Sequence, residues 1–284
     1  MKRILLTGRN GQVGWELQRT LAPLGELTAL DRENLDLADA DAIRGAIRAV
    51  NPDIIVNAAG YTAVDLAETE SSLATRINAT APAVMAEEAR ARGIQLVHYS
   101  TDYVFDGAKE GPYTEDDTAA PLNAYGRSKL AGEQAIRATG CRHLIFRTSW
   151  VYGLRGKNFL RTILRLAEER EELRIVDDQF GAPTWSRLIA EATALALAGP
   201  GQPEGLYHLA CGGHTSWHGF VERILDLSTT LRTREPVLTA IPTRDYPLPA
   251  VRPRNSRLVC DRLARETSIQ LPDWRRALAL CLAQ

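Results

Sequence analysis

Tyr125 and Lys129 stand four residues apart in the run NAYGRSKLAGE. On a helix, residues with that spacing share a face. A phenol beside an ammonium makes an acid/base unit, because the positive charge favours phenolate and lowers the Tyr pKa from about 10. A carbonyl group that receives a hydride needs such a proton donor. The chain carries 30 Arg but only 4 Lys among its 284 residues, so Lys is an uncommon choice at any position. By itself the pair also suits an ordinary surface helix, and the discriminating context lies at the N-terminus.

There the segment GRNGQVG follows the apolar run RILLT and precedes an amphipathic stretch. Gly8, Gly11 and Gly14 let the backbone turn tightly, approach a pyrophosphate and pack a helix on a sheet, with the helix N-terminus facing the phosphates. The spacing is GxxGxxG, one residue longer at the first gap than the common dehydrogenase fingerprint. Asp31 lies 23 positions beyond Gly8, where an acid binds the ribose hydroxyls of NAD; it could equally serve as a cap. Arg32 beside it, or Arg9 within the loop, could hold the 2′-phosphate of NADP. Preference between NADPH and NADH stays open on these residues.

The elements that must position these groups alternate. Strands are expected at 3–7, 26–30, 53–57, 94–100 and 143–147, and helices at 12–24, 39–50, 72–92 and 123–138. Such alternation implies right-handed crossovers and a parallel sheet covered on both faces, and the strands are accordingly near-continuous apolar runs. After Tyr152 the pattern changes. A helix is expected at 159–172, ending in the charge run EEREE as a solvated face. Helices at 186–198, 217–228 and 273–283, a turn-rich loop at 198–205 and one more strand at 206–210 follow. Segment 232–257 holds five Pro and six Arg with little periodicity. The expected fold class is α/β, a Rossmann-type doubly wound parallel sheet over 1–152. A smaller C-terminal α/β unit for substrate, 153–284, returns some segments to that sheet.

Composition excludes other classes. The formal net charge is −1, with 34 basic and 35 acidic residues, so no global field points to nucleic acid or a membrane. No run approaches the ~20 apolar residues of a membrane span, and MKRILLTGRNGQ does not read as a signal peptide. Four scattered Cys without CxxC fit reduced thiols in a cytoplasmic protein. Cys211, His214 and His218 lack a carboxylate partner and read as a strand end, a loop and a helix capped by Ser216 rather than a zinc site.

Taken in order, GxxGxxG, NAAG (57–60), STD (100–102) and YxxxK (125–129) resemble the extended short-chain dehydrogenase/reductase family. AAGYTAVDLAE, HYSTDYVFDG, PLNAYGRSKLAGE, FRTSWVYG, DDQFGAPT and RPRNSRL narrow this to the dTDP-4-dehydrorhamnose reductases, over essentially the whole chain. The resemblance implies reduction of the 4-keto group of a dTDP-sugar by NADPH or NADH. Tyr125 would donate the proton, Lys129 would lower the Tyr pKa and bind the nicotinamide ribose, and Thr101 would hydrogen-bond the substrate carbonyl region. Gly8, Asn10, Gly11, Gln12, Val13, Gly14, Asp31, Arg32, Asp36, Leu37, Ala58, Ala59, Tyr61 and Asn78 would contact the cofactor, and Asn78 would also support a water network at Lys129. Thr101, Asp102, Tyr103, Trp150, Arg252, Asn255 and Arg257 would contact the sugar nucleotide. No metal ligand is assigned, although related reductases bind Mg2+ through Glu residues at a dimer contact; Glu16 and Glu191 lie on suitable helices, but a ligand from a longer C-terminus is missing. Monomer and homodimer are both open.

From the residues themselves, Thr101 sits just past an apolar strand, where open α/β sheets bind ligands, although a Thr there is commonly also a turn cap. Arg252, Arg254 and Arg257 carry guanidinium forks suited to phosphate, or else form a solvated basic loop. Two rivals remain. A sugar-nucleotide epimerase or 4,6-dehydratase is one; the dehydratases carry Thr-Asp-Glu, whereas Tyr103 follows Asp102 here. The other is a non-catalytic subunit like the beta subunit of methionine adenosyltransferase, against which the intact Thr101, Tyr125 and Lys129 set speaks.

Overall fold

The computed structural model describes residues 1–199, 202–229 and 233–284. Pro200 and Gly201 of the expected 198–205 loop, and Arg232 at the head of the Pro/Arg segment, lie outside the described residues. Six parallel strands form one sheet: β1 (Lys2–Thr7), β2 (Gly25–Leu30), β3 (Ile54–Asn57), β4 (Gln95–Thr101), β5 (His143–Thr148) and β10 (Gly205–His208). Their order is β2-β1-β3-β4-β5-β10, with every neighbouring pair parallel. The winding reverses between β1 and β3, and ligands of such sheets bind in the crevice at that reversal, outside the carboxyl ends of the strands.

Side chains alternate across the sheet as strand geometry requires. Ile4 and Leu6 join Val97, Tyr99 and Phe146 on one face, under α1 (Gln12–Thr20) and α7 (Ser186–Ala198). Leu5, Ile55 and Ile145 point to the other face, under α2 (Ala40–Val50), α4 (Ala81–Arg92) and α5 (Ala124–Thr139). Two pieces of the sheet layers, α7 and β10, thus come from beyond residue 152. A third apolar cluster joins α6 (Phe159–Glu169), α8 (Trp217–Leu227) and α10 (Trp274–Leu282) through Leu160, Phe220 and Trp274. Ser216 caps α8 by accepting from the Gly219 N–H at 3.0 Å.

Several boundaries differ from those expected. The helix expected at 12–24 stops at Thr20, and Ala22–Leu24 is a 3₁₀ turn with Pro23 inside it. The helix expected at 72–92 is broken into α3 (Ser71–Thr75), a π-helical turn Arg76–Thr80, and α4, whose first turn holds Pro82. The helix expected at 159–172 ends at Glu169, because Glu172–Val176 is strand β7. β7 pairs in parallel with β12 (Val237–Ile241), inside the segment that showed no periodicity. The two halves of that ladder are 65 residues apart in sequence, which hides the pairing from local reading. A further short helix, α9 (Asp261–Thr267), lies where no element is expected, and two-residue strands β6 (Val151–Tyr152) with β9 (Thr184–Trp185), and β8 (Phe180–Gly181) with β11 (Thr215–Ser216), form two small ladders.

Candidate active site

A cleft of about 1080 Å³ opens at the carboxyl ends of β1, β3 and β4. At one end lies the glycine loop. Gly8 has φ +77°, and a Cβ there would sit 2.7 Å from the Ala59 nitrogen and 2.8 Å from the Ala58 carbonyl carbon. Only glycine fits, so the loop lies directly on the Ala58–Ala59 segment that follows β3. Gly14 is equally constrained: its Cβ would meet the Gly8 carbonyl oxygen at 2.1 Å. It does not line the cleft but lets α1 rest on the loop. Gly11 caps α1 without a side-chain acceptor, which leaves the first N–H groups of the helix facing the cleft. Asn10, Gln12 and Val13 complete this wall.

Asp31 closes the far side of the loop. Its carboxylate accepts from Arg9 Nε at 2.8 Å and Asn10 Nδ2 at 3.1 Å, and Arg9 NH2 lies 2.6 Å away. Burial alone would raise the Asp31 pKa, but these donors and the Asn34 N–H more than offset it and hold the carboxyl below its ordinary value. Arg9 is therefore already paired with Asp31 and is not the free guanidinium the sequence allowed. Arg32 is exposed, lines the cleft and makes no ion pair among the described residues. Asp36 and Leu37 line the same end, as do Ala58, Ala59 and Tyr61.

At the other end α5 delivers Tyr125 and Lys129. Asn123 starts the helix, its side chain accepting from the Gly126 N–H at 2.8 Å. Thr101, Asp102 and Tyr103 follow β4, and the Tyr103 ring meets the Tyr125 ring edge-on at 5.9 Å. Thr101 Oγ1 donates to Asp102 Oδ1 at 3.0 Å and accepts from the Tyr103 N–H at 3.1 Å, with the Tyr125 phenol beside it. The Tyr125 side chain is only part-buried in surface area, yet its phenol is enclosed. Burial pushes its pKa up to about 12, against the lowering effect of the Thr101 hydroxyl. Lys129 is not among the groups that shift it. Lys129 Nζ donates to the Tyr99 carbonyl at 2.5 Å and lies 3.2 Å from His98 Nε2. Burial brings Lys129 down to about 8, with Glu133 opposing that shift, and burial lifts Asp102 to about 6 against hydrogen bonds from Ser256 and Thr101. Asp102 Oδ2 has no partner.

Other expected site residues are distributed differently. Asn78 is buried and lies behind the cleft wall. Its amide clamps the Tyr61 backbone at 2.8 and 2.9 Å and donates to Ser128 Oγ at 2.9 Å. Arg252 lines the cleft, but its fork is held by Asp65 at 2.5 and 2.7 Å. Asn255 and Arg257 are not in the cleft at all. They line a separate groove of about 330 Å³, where Asn255 donates to the Lys109 and Gly111 carbonyls and Arg257 to the Glu110 carbonyl. The RPRNSRL run bends at Arg254 between the two cavities, with Asn255 bridged to Phe180 and Leu258 to Tyr113. Glu191 accepts from Arg187 at 2.9 Å, Glu16 lies on α1, which packs against α7, and no three His, Cys, Asp or Glu side chains form a metal-holding group among the described residues.

Trp150 lines the cleft with φ +46°, a left-handed conformation that costs a non-glycine residue ~1–3 kcal/mol. Its ring stacks on Trp217 at 3.6 Å, and Phe159 packs on Trp217 at 4.4 Å. Trp217, Phe159 and Asp65 line the cleft but were not read as site residues. No spacing rule connects residues 150, 159 and 217; Trp217 follows the N-cap Ser216, and the first turn of a helix is the only hint it carried.

A doubly wound parallel sheet with a glycine cradle at its reversal, facing a Thr–Tyr–Lys set, defines a Rossmann-type reductase of the short-chain dehydrogenase/reductase class. Within it, the chain belongs to the family described as the RmlD substrate binding domain, whose model matches residues 1–284. It is 49% identical to a dTDP-4-dehydrorhamnose reductase of Burkholderia thailandensis, covering 99% of this chain and 98% of that one. It is 47% identical to the enzyme of that name from Escherichia coli K12, covering 96% and 94%. A crystal structure of dTDP-4-dehydrorhamnose reductase from Bacillus anthracis in complex with NADP matches with a TM-score of 0.94 at 34% identity, covering 99% of each chain.

Proposed function

We propose that this chain reduces the 4-keto group of dTDP-4-dehydro-L-rhamnose to give dTDP-L-rhamnose, using NADPH or NADH, as the last step of dTDP-L-rhamnose synthesis. The observation that carries this reading is the convergence of Thr101, Tyr125 and Lys129 at one end of a cleft whose other end is the Gly8 cradle. The residues fit a dinucleotide: a helix N-terminus without a side-chain cap, a glycine that admits no Cβ, and an acid at the end of β2. Residues 1–152 form the cofactor half in this reading. Residues 153–284 serve mainly the sugar nucleotide, apart from α7 and β10. The enzyme works in the cytoplasm as a monomer or homodimer.

When bound, the nicotinamide cofactor supplies the hydride. The protein supplies orientation and the proton. Tyr125, protonated at neutral pH, gives its phenolic proton to the oxygen of the reduced carbonyl. Thr101 sits beside that phenol and orients the carbonyl. Lys129 offers a third N–H to the cleft and, as ammonium, stabilises the phenolate that forms. The Trp150–Trp217 stack walls the sugar side. The test is oxidation of NADPH and NADH with dTDP-4-dehydro-L-rhamnose generated in situ, against the UDP and GDP counterparts. Turnover confined to, or strongly favouring, the dTDP-sugar is expected, and no turnover with it sinks the proposal.

A further inference from the structure

A polar row runs under the cleft across three strands. The sheet register sets Thr7 beside Asn57 and Asn57 beside His98, so their side chains share the face that carries α5. All are buried: Thr7 2%, Asn57 1%, His98 0% exposed, with Lys129 at 5%. Thr7 Oγ1 is 2.7 Å from Asn57 Oδ1, Asn57 Nδ2 is 3.1 Å from His98 Nδ1, and His98 Nε2 is 3.2 Å from Lys129 Nζ. A buried histidine in a strand is ordinarily a satisfied core group. This one ends the row on the lysine of the reaction.

A neutral imidazole has one donor and one acceptor nitrogen, and an ammonium has three donors and no acceptor. Two proton arrangements therefore satisfy the row. In the first, the Asn57 amide donates to His98 Nδ1, and Nε2–H donates to the lone pair of a neutral Lys129 amine. In the second, the Lys129 ammonium donates to Nε2, Nδ1–H donates to Asn57 Oδ1, and the turned amide donates to Thr7 Oγ1. Both keep the Lys129 bond to the Tyr99 carbonyl, and both leave one N–H for the cleft. They differ by one proton on Lys129. The nearby charges on the same face, Glu133 on α5 and Arg147 on β5, hydrogen-bond each other at 2.6 and 2.9 Å, and Glu133 acts on Lys129 only through its charge.

We propose that His98 is the positioning residue for Lys129: its ring tautomer and the Asn57 amide turn over with the lysine's charge, which holds Nζ in place beneath the cleft in both protonation states. This deepens the reductase reading and rests on it. Burial, with the neighbouring Lys129 charge, keeps His98 itself neutral, so the switch is of tautomer and not of imidazole charge.

The test uses the intact enzyme and needs no turnover. Nitrogen NMR of protein labelled at its histidines should show His98 protonated on Nδ1 below the Lys129 titration and on Nε2 above it. One unchanged tautomer across that range overturns the proposal whatever the enzyme reduces. In kinetics, His98→Leu removes a bond from both states of Lys129, and the one lost by the ammonium is the stronger, so the alkaline limb of kcat/KM should move down by up to about one pH unit. His98→Gln, which restores an acceptor oxygen, should return the limb most of the way. A limb that stays in place in His98→Leu overturns the proposal, whereas a merely structural role lowers the amount of folded enzyme without moving it. Failure of the reductase reading shows instead as no turnover by the parent.

Discussion

The two ends of the cleft handle charge in opposite ways. At the glycine loop the groups that face a ligand are backbone N–H groups, and the side-chain charges of Arg9 and Asp31 neutralise each other near the surface. At the α5 end the groups are buried side chains: burial raises Tyr125, raises Asp102 and lowers Lys129. The first end offers fixed dipoles that need no titration to bind an anion. The second holds groups whose protonation burial has moved toward neutral pH or, for Tyr125, away from it, so it answers to pH. The lesson is that binding and proton transfer in one cleft answer to different perturbations, of backbone space in one case and of burial in the other.

The sharpest way to break the comparison is Tyr125→Phe. Loss of the hydroxyl should reduce kcat by ~10²–10⁴-fold, the usual worth of a positioned acid, while cofactor affinity measured by fluorescence quenching stays nearly unchanged. Retention of more than about half the parent rate would falsify the assignment. At the opposite end, Gly8→Ala adds a methyl group 2.7 Å from the Ala59 nitrogen at φ +77°. With ~1–3 kcal/mol of strain, cofactor dissociation constants should rise roughly five- to a hundredfold, with little change in kcat at saturating cofactor. Equal affinity in titration would show that the cradle does not hold the phosphates.

Arg252 and Arg257 sharpen the map of the substrate side. Arg252→Ala should leave Asp65 unpaired at the cleft wall and raise KM for the sugar nucleotide roughly tenfold, the worth of a charge-assisted bond. Arg257→Ala, in the separate groove, should leave that KM within about twofold. Equal effects in steady-state kinetics would mean that both reach the substrate. pH tests the buried end directly. Burial brings Lys129 down to about 8; its ammonium is lost as pH rises, so kcat/KM should fall above about pH 8. Lys129→Arg keeps its charge and should lose that limb, whatever its absolute rate. The smallest effect is expected at Arg32. Since Arg9 is held by Asp31, Arg32→Ala should shift the kcat/KM ratio several-fold toward NADH, and Arg9→Ala should act mainly through Asp31. An unchanged ratio in Arg32→Ala removes it as the reader of the 2′-phosphate.

Much of this was legible along the chain. RILLT followed by GRNGQVG fixed a strand, a cradle and a helix start, because Gly8 and Gly14 answer to contacts within or next to the loop. NAYGRSKL carried its own i, i+4 spacing of Tyr125 and Lys129. What stayed hidden depends on partners distant in sequence. Glu172 read as the end of a charged helix and 173–176 as no element until Val237–Ile241 paired with Glu172–Val176. Arg252 and Arg257, five residues apart, read as one anion site but face different cavities. Phe159 and Trp217 gained meaning only by stacking near Trp150.

The order of strands and helices, the glycine loop and the identities of Thr101, Tyr125 and Lys129 were determined by the sequence alone, since periodicity, backbone freedom and side-chain chemistry are local properties. The tertiary structure decided the charge states of those residues. It also decided which guanidinium is free and that a histidine three residues before Thr101 ends on Lys129. The reason is physical: a pKa or an ion pair is set by burial and by neighbours within a few ångströms, and those neighbours come from β1, β3, β4 and α5, brought together only when the sheet closes over its core.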